Sequence, residues 1–197
     1  MSSDPSEYWA TRIEKIARAT LPDLDCVRRI AMDPRGRRTT RRLLASLVLS
    51  EPFEIDLGEL AGDDDRLLAV AAGLTPCPAA PSPMGAIQDR SRDDVIELWT
   101  ERELTLVHAA WMLHGWHAAA VASAKWLIHE IQPDNATNLP WAVHVFASLS
   151  FDESLDEAAM YAETLLHNCI VTTGKPDDLS ALILLDSARQ LRSRYTG

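Results

Sequence analysis

The sequence predicts an all-α protein built of antiparallel α-hairpin repeats, and three observations predict it. No segment alternates apolar and polar residues between hairpin turns, as a half-buried strand would. Apolar residues recur instead at three- and four-residue spacing between capping residues, the pattern of helices with one buried stripe. Finally, Ala120-Val121-x-x-Ala124-x-x-Leu127-Ile128-His129 overlies Ala158-Ala159-x-x-Ala162-x-x-Leu165-Leu166-His167 at a constant offset of about 38 residues. The same step carries Thr100, which opens a capping box with Glu103, to Asn138, a good N-cap two residues before Pro140. One more step reaches Pro176, beside Asp177 and Asp178. One unit is then a pair of helices, and two units plus the first helix of a third fit between Thr100 and Tyr195.

Taken in order, Asp4 caps a first helix, Pro5 takes its first position, and Trp9, Ile13, Ile16 and Ala17 form its stripe to about Ala19. Pro22 and Asp23 start a short second helix with Val27 and Ile30 inward, and Asp33-Pro34-Arg35-Gly36 reads as a turn. A third helix follows from Arg38 to Ser50. A fourth, Leu67 to Leu74, is preceded by Asp63, Asp64 and Asp65, which complement its positive end. These residues, 1–74, form an N-terminal helical region. Residues 75–92 are a Pro-rich linker, because Pro76, Pro78, Pro81 and Pro83 forbid a helix; Met84 and Ile87 point to partial packing.

Residues 93–197 form the repeat region. A short turn over Asp93 to Trp99 leads into a helix from Glu101 to His114, apolar almost all round and therefore buried, which Gly115 ends as a C-cap. A partner helix runs to Ile131. The hinge Gln132 to Phe146 contains the start of a helix from Leu139 to Ser150; helices Ser154 to Thr172, closed by Gly174, and Asp178 to Tyr195 complete the chain.

The formal net charge is −10, of which residues 75–197 carry −8. An acidic surface excludes general binding to nucleic acid or anionic membrane and favours a cationic partner. Arg35, Arg37, Arg38, Arg41 and Arg42 cluster at the start of the third helix, where a solvated cap facing Asp63 to Asp65 is favoured over a phosphate site. No apolar run has the length of a signal peptide core or a membrane span, so a cytoplasmic protein is expected. Cys26, Cys77 and Cys169 are far apart, and no disulfide is expected.

All six His residues fall in the repeat region. His114 and His117 have metal-ligand spacing, but Gly115 breaks the helix between them, so neither a metal nor another cofactor is expected. His108 reads as a core histidine bonded to a backbone carbonyl. His129 with Lys125 and His167 with Glu163 read as surface pairs. His144 projects away from the Val145 and Leu149 stripe, one turn inside the Asp134-Asn135-Ala136-Thr137-Asn138 loop. Asp134, Asn135, Asn138, Trp141 and His144 thus converge at one helix end, either as a network fixing the hinge, the favoured reading, or as polar groups for a saccharide-like ligand. A deep pocket lined by Trp111, Trp141 and Glu101 or Glu103, with His108 nearby, would favour the ligand.

Paired helices with a Trp and polar residues at their connecting loops resemble the α-hairpin solenoids, such as tetratricopeptide-like scaffolds, and the α/α-toroids, which include glycosidases, epimerases and terpenoid cyclases. The Gln132 to Phe146 stretch also resembles a bacterial helical family of no assigned activity. The chain lacks an Asp-x-Asp-Asp motif and its period differs from the tetratricopeptide period, so no catalytic residue carries over. The resemblance implies a solenoid or partial toroid. The expected function is binding of another protein or peptide through an acidic repeat surface; a small toroid-like enzyme or sugar-binding protein using the Asp134 to His144 cluster is the alternative.

Overall fold

A computed structural model describes residues 4–60, 62–88, 95–131 and 137–193. Among them lie nine α-helices and no strand: α1 (Pro5–Arg18), α2 (Leu24–Met32), α3 (Arg38–Leu49), α4 (Asp63–Ala71), α5 (Ile96–Trp111), α6 (His117–Glu130), α7 (Val143–Asp152), α8 (Asp156–Asn168) and α9 (Asp178–Ser193), with single 3-10 turns at Leu57–Glu59 and His114–Trp116. The protein is all-α. No helix among the described residues is long and apolar enough to cross a membrane.

Local signals set many of the helix ends. The Asp4 side chain accepts the Ser6 N–H, Asp23 accepts that of Cys26 and Asp177 that of Ser180, each satisfying an orphan donor of a first turn. α3 stops at Ser50, which is left-handed at φ 54°. α4 starts earlier than expected, at Asp63, so the three Asp residues form its first turn.

α9 is the axis of the fold. It is buried from Leu179 through Ala188, with α1, α3 and α7 packed around it. α1 runs antiparallel along it: Ser6 Oγ donates to the Leu191 carbonyl at one end and Thr20 Oγ1 to the Pro176 carbonyl at the other. Arg192 adds ion pairs to Glu7 and Glu14, and Arg12 reaches Glu163 of α8. α5 pairs with α6 and α4, and α7 pairs with α8. One continuous hydrophobic cluster reaches from Trp9 and Leu43 to Trp141 and Leu182.

Several local expectations are corrected. α7 begins at Val143 rather than Leu139, because the chain turns through Trp141 and a left-handed Ala142 at φ 58°. Asn138 is exposed and caps nothing there; the Thr137 hydroxyl accepts the Leu139 N–H and donates to Glu101. Gly115 lies inside the 3-10 turn His114–Trp116 without a positive φ, so α5 ends on ordinary right-handed turns. His129 and His167 are exposed, while Lys125 pairs with Glu153 and Glu163 with Arg12.

Four of the five arginines in the cluster find partners other than the α4 acids. Arg35 pairs with Asp33 at 2.7 Å, Arg37 reaches Glu101, Arg41 donates to the Arg35 carbonyl, and Arg42 donates to the carbonyls of Ala31 and Glu54. These arginines tie the start of α3 to the turn before it and to α5. Asp65 instead accepts the Thr40 hydroxyl.

Candidate functional site

Two places gather polar chemistry, and they differ in access. The first is enclosed where α5, α7 and α9 meet. His108 Nε2 lies 3.0 Å from Asp186 Oδ2, while its Nδ1 accepts the Ala142 N–H at 3.2 Å. An acceptor at Nδ1 assigns the ring proton to Nε2, which donates to the carboxylate. The core placement expected for His108 holds, but its backbone partner is a donor, not a carbonyl. The other Asp186 oxygen accepts from Arg189 Nε and Nη2 at 3.0 and 2.7 Å. Burial opposes the charge on Asp186, yet the His108 hydrogen bond and the Arg189 cation prevail and hold its carboxyl below the usual range.

His144 joins this cluster instead of projecting outward. Its Nδ1 is 3.2 Å from Ser187 Oγ, and its ring meets His108 edge-on at 4.6 Å. The helical-stripe argument fails here because α7 is buried on every side from Val143 to Leu149. Burial, then the neighbouring His108, hold the His144 pKa well below its ordinary 6.5; Asp186 pulls the other way and Arg189 adds to the depression. Trp141 packs edge-on to His108 at 5.2 Å, and Trp111 meets His117 with tilted rings at 4.2 Å. His108, His144, Asp186, Ser187 and Trp141 are all 0 % exposed. Asp134 and Asn135 lie outside the described residues, and Asn138 is on the surface. Of the proposed ligand set the structure therefore brings together His108, Trp111, Trp141 and His144, in the core.

Asp186, Ser187 and Arg189 escaped the sequence reading. The signal was present: Asp186 is a lone acid ending the apolar run Leu182-Ile183-Leu184-Leu185, and a charge in a core stripe needs a partner.

The second place is open. A groove of about 930 Å³ lies between α4 with the preceding 3-10 turn, the Pro-rich segment and α5. Leu60, Leu67, Val70, Leu106, Ile87 and Trp116 give it an apolar lining, and Asp63, Asp64, Arg66 and Arg102 supply charge. Its volume falls in the range of sites that hold small ligands or a few side chains. The Pro-rich segment is packed rather than loose: Trp116 Nε1 donates to the Pro78 carbonyl at 3.0 Å, and Glu103 accepts the N–H groups of Ile87 and Gln88 at 2.5 and 2.9 Å. Glu103 is fully buried and also accepts Ser123 Oγ of α6. Of the aromatic and acidic residues expected to line a pocket, Trp111, Trp141, Glu101 and Glu103, none lines this groove.

Among the described residues no three His, Cys, Asp or Glu side chains group so as to hold a metal ion. The chain matches no protein-family model, no curated protein and no solved structure.

Proposed function

We propose that this is a helical protein that binds a short apolar segment of another protein, flanked by a basic residue, in the groove between α4, the Pro-rich segment and α5. The observation that carries the reading is the groove itself, about 930 Å³ of space lined by apolar side chains on a folded helical frame. Asp63 and Asp64 on its α4 wall, and the charge of −8 over residues 75–197, favour a cationic partner over a nucleic acid. The buried His108 and His144 cluster weighs against a sugar site there, since a ligand cannot reach groups that are 0 % exposed.

In the same reading, α5 with α6 and α7 with α8 are two copies of one hairpin of about 38 residues. Support comes from matching positions: Ala120, Ala124 and Leu127 are fully buried, as are Ala158, Ala162 and Leu165.

The test is selection of a random peptide library on the wild-type protein, with Val70→Arg as the counter-target. Val70 is half-buried in the groove wall, so the long cationic side chain fills the groove and repels a basic partner. Enrichment of apolar peptides carrying Lys or Arg that do not bind Val70→Arg is the expected result. No enrichment, or equal binding to the variant, overturns the proposal.

A further inference from the structure

We infer that residues 75–88 are a strap latched by Glu103, and that release of Ile87 and Gln88 from this carboxylate widens the groove around its ligand. The inference rests on the reading of the groove as the binding site and assigns how it is gated.

The strap has little of its own to hold it. Pro76, Pro78, Pro81 and Pro83 have no N–H to donate, and residues 76–80 and 82–84 are exposed, Met84 at 88 %. Its anchors come from the helices beneath. At one end the Trp116 indole takes the Pro78 carbonyl. At the other, Gly85 runs beside Trp126 at φ 130°, a backbone conformation that residues with a side chain rarely adopt. Just beyond it, the Glu103 carboxylate takes two successive strap amides, and Gln88 Nε2 donates to the Trp99 carbonyl.

The latch differs in kind from the other anchors. A carboxylate only accepts, so three donors, the Ile87 and Gln88 amides and the Ser123 hydroxyl, converge on it in a fully buried place where charge-assisted bonds are strong. Ile87 and Gln88 are themselves groove wall. Leu106 and Leu67, which line the same groove, are 5 % and 3 % exposed. A ligand that spreads over Leu67 and Leu106 needs more of their surface than is exposed, and the wall formed by Ile87 and Gln88 moves back when Glu103 lets go.

Glu103→Gln keeps the shape but turns an amide N–H₂ toward groups that are already donors. The first measurement is hydrogen exchange at the Ile87 and Gln88 amides, which should quicken about tenfold or more, with the α9 amides of Leu182 to Leu185 unchanged. The second is stopped-flow binding of anilinonaphthalene sulfonate, whose apolar rings fit the lining and whose sulfonate suits Arg66 and Arg102. Its rate should reach a plateau in the wild type, set by strap opening, and the plateau should rise in the variant. Unchanged exchange at Ile87 and Gln88, or a wild-type rate that climbs linearly without a plateau, overturns the inference. Dye binding left intact by Val70→Trp, which fills the groove without adding a charge, sinks the groove reading instead, while the exchange result still decides the latch. If Glu103→Gln does not fold, Trp116→Phe cuts the Pro78 anchor and keeps a ring; it too should raise the plateau, and an unchanged plateau counts against the strap.

Discussion

Replacing Asp186 with Asn isolates the charge at the centre of the fold without changing its volume. In the wild type the carboxylate accepts His108 Nε2 at 3.0 Å, Arg189 Nη2 at 2.7 Å and Gln190 Nε2 at 3.3 Å. An amide presents one oxygen and one N–H₂, so either the His108 proton or the Arg189 and Gln190 donors lose their acceptor. The Arg189 side chain is 35 % exposed and can turn to water, so its share is about 1 kcal/mol or less. An orphaned donor within the core costs about 1 to 3 kcal/mol more. The expected loss is about 2 to 3 kcal/mol, or roughly 5 to 10 °C in melting temperature for a chain of this size. Urea unfolding followed by circular dichroism at neutral pH measures it. The folded carboxyl sits below its ordinary 3.8, so its stabilisation is present above that value and fades as pH falls through it. The gap between wild type and variant should therefore narrow in acid. A loss below about 1 kcal/mol at neutral pH, or a gap that does not change with pH, would refute the reasoning.

His144→Gln should flatten the pH dependence of stability. The folded ring is held neutral well below 6.5, so the wild type should lose up to about 1.4 kcal/mol per pH unit as pH drops under that value, as the unfolded chain takes up the proton first; parallel curves for the two proteins between pH 7 and 5 would contradict this. Trp141→Ala empties a site that is 0 % exposed and should cost about 3 to 5 kcal/mol. A thermal melt that moved by less than a degree or two would show that Trp141 is not a packing centre.

Helix existence was legible because its signals are local. A cap, a Pro at the first helical position and an apolar stripe are read within a dozen residues, and α1, α2 and α9 start where such signals stand. The hinge defeated the same logic. Asn138 before Pro140 has the form of a helix start, yet Thr137 is tied to Glu101, 36 residues away in sequence, and Ala142 is left-handed with its N–H on His108. Both contacts come from α5, so no local rule could place them.

His144 failed for a related reason. A helical wheel assigns the residue off the main stripe to solvent, which holds only for a helix with one covered face. α7 is covered by α1, α5, α8 and α9, so the wheel carries no information about which face is outside.

From its own pattern the sequence determined an all-α chain, the position of most helices and an acidic character; it did not settle how the Pro-rich segment lies, where Ile87 is half-buried but Met84 is 88 % exposed. It did not determine that the last helix would be the axis, that Asp186 would pair with His108 across 78 residues, or that the groove would open beside the Pro-rich segment and away from the hinge. The physical reason is range. Caps and stripes are fixed by bonds and contacts within a turn or two, whereas a buried charge pair and a concave wall exist only once distant helices share one core.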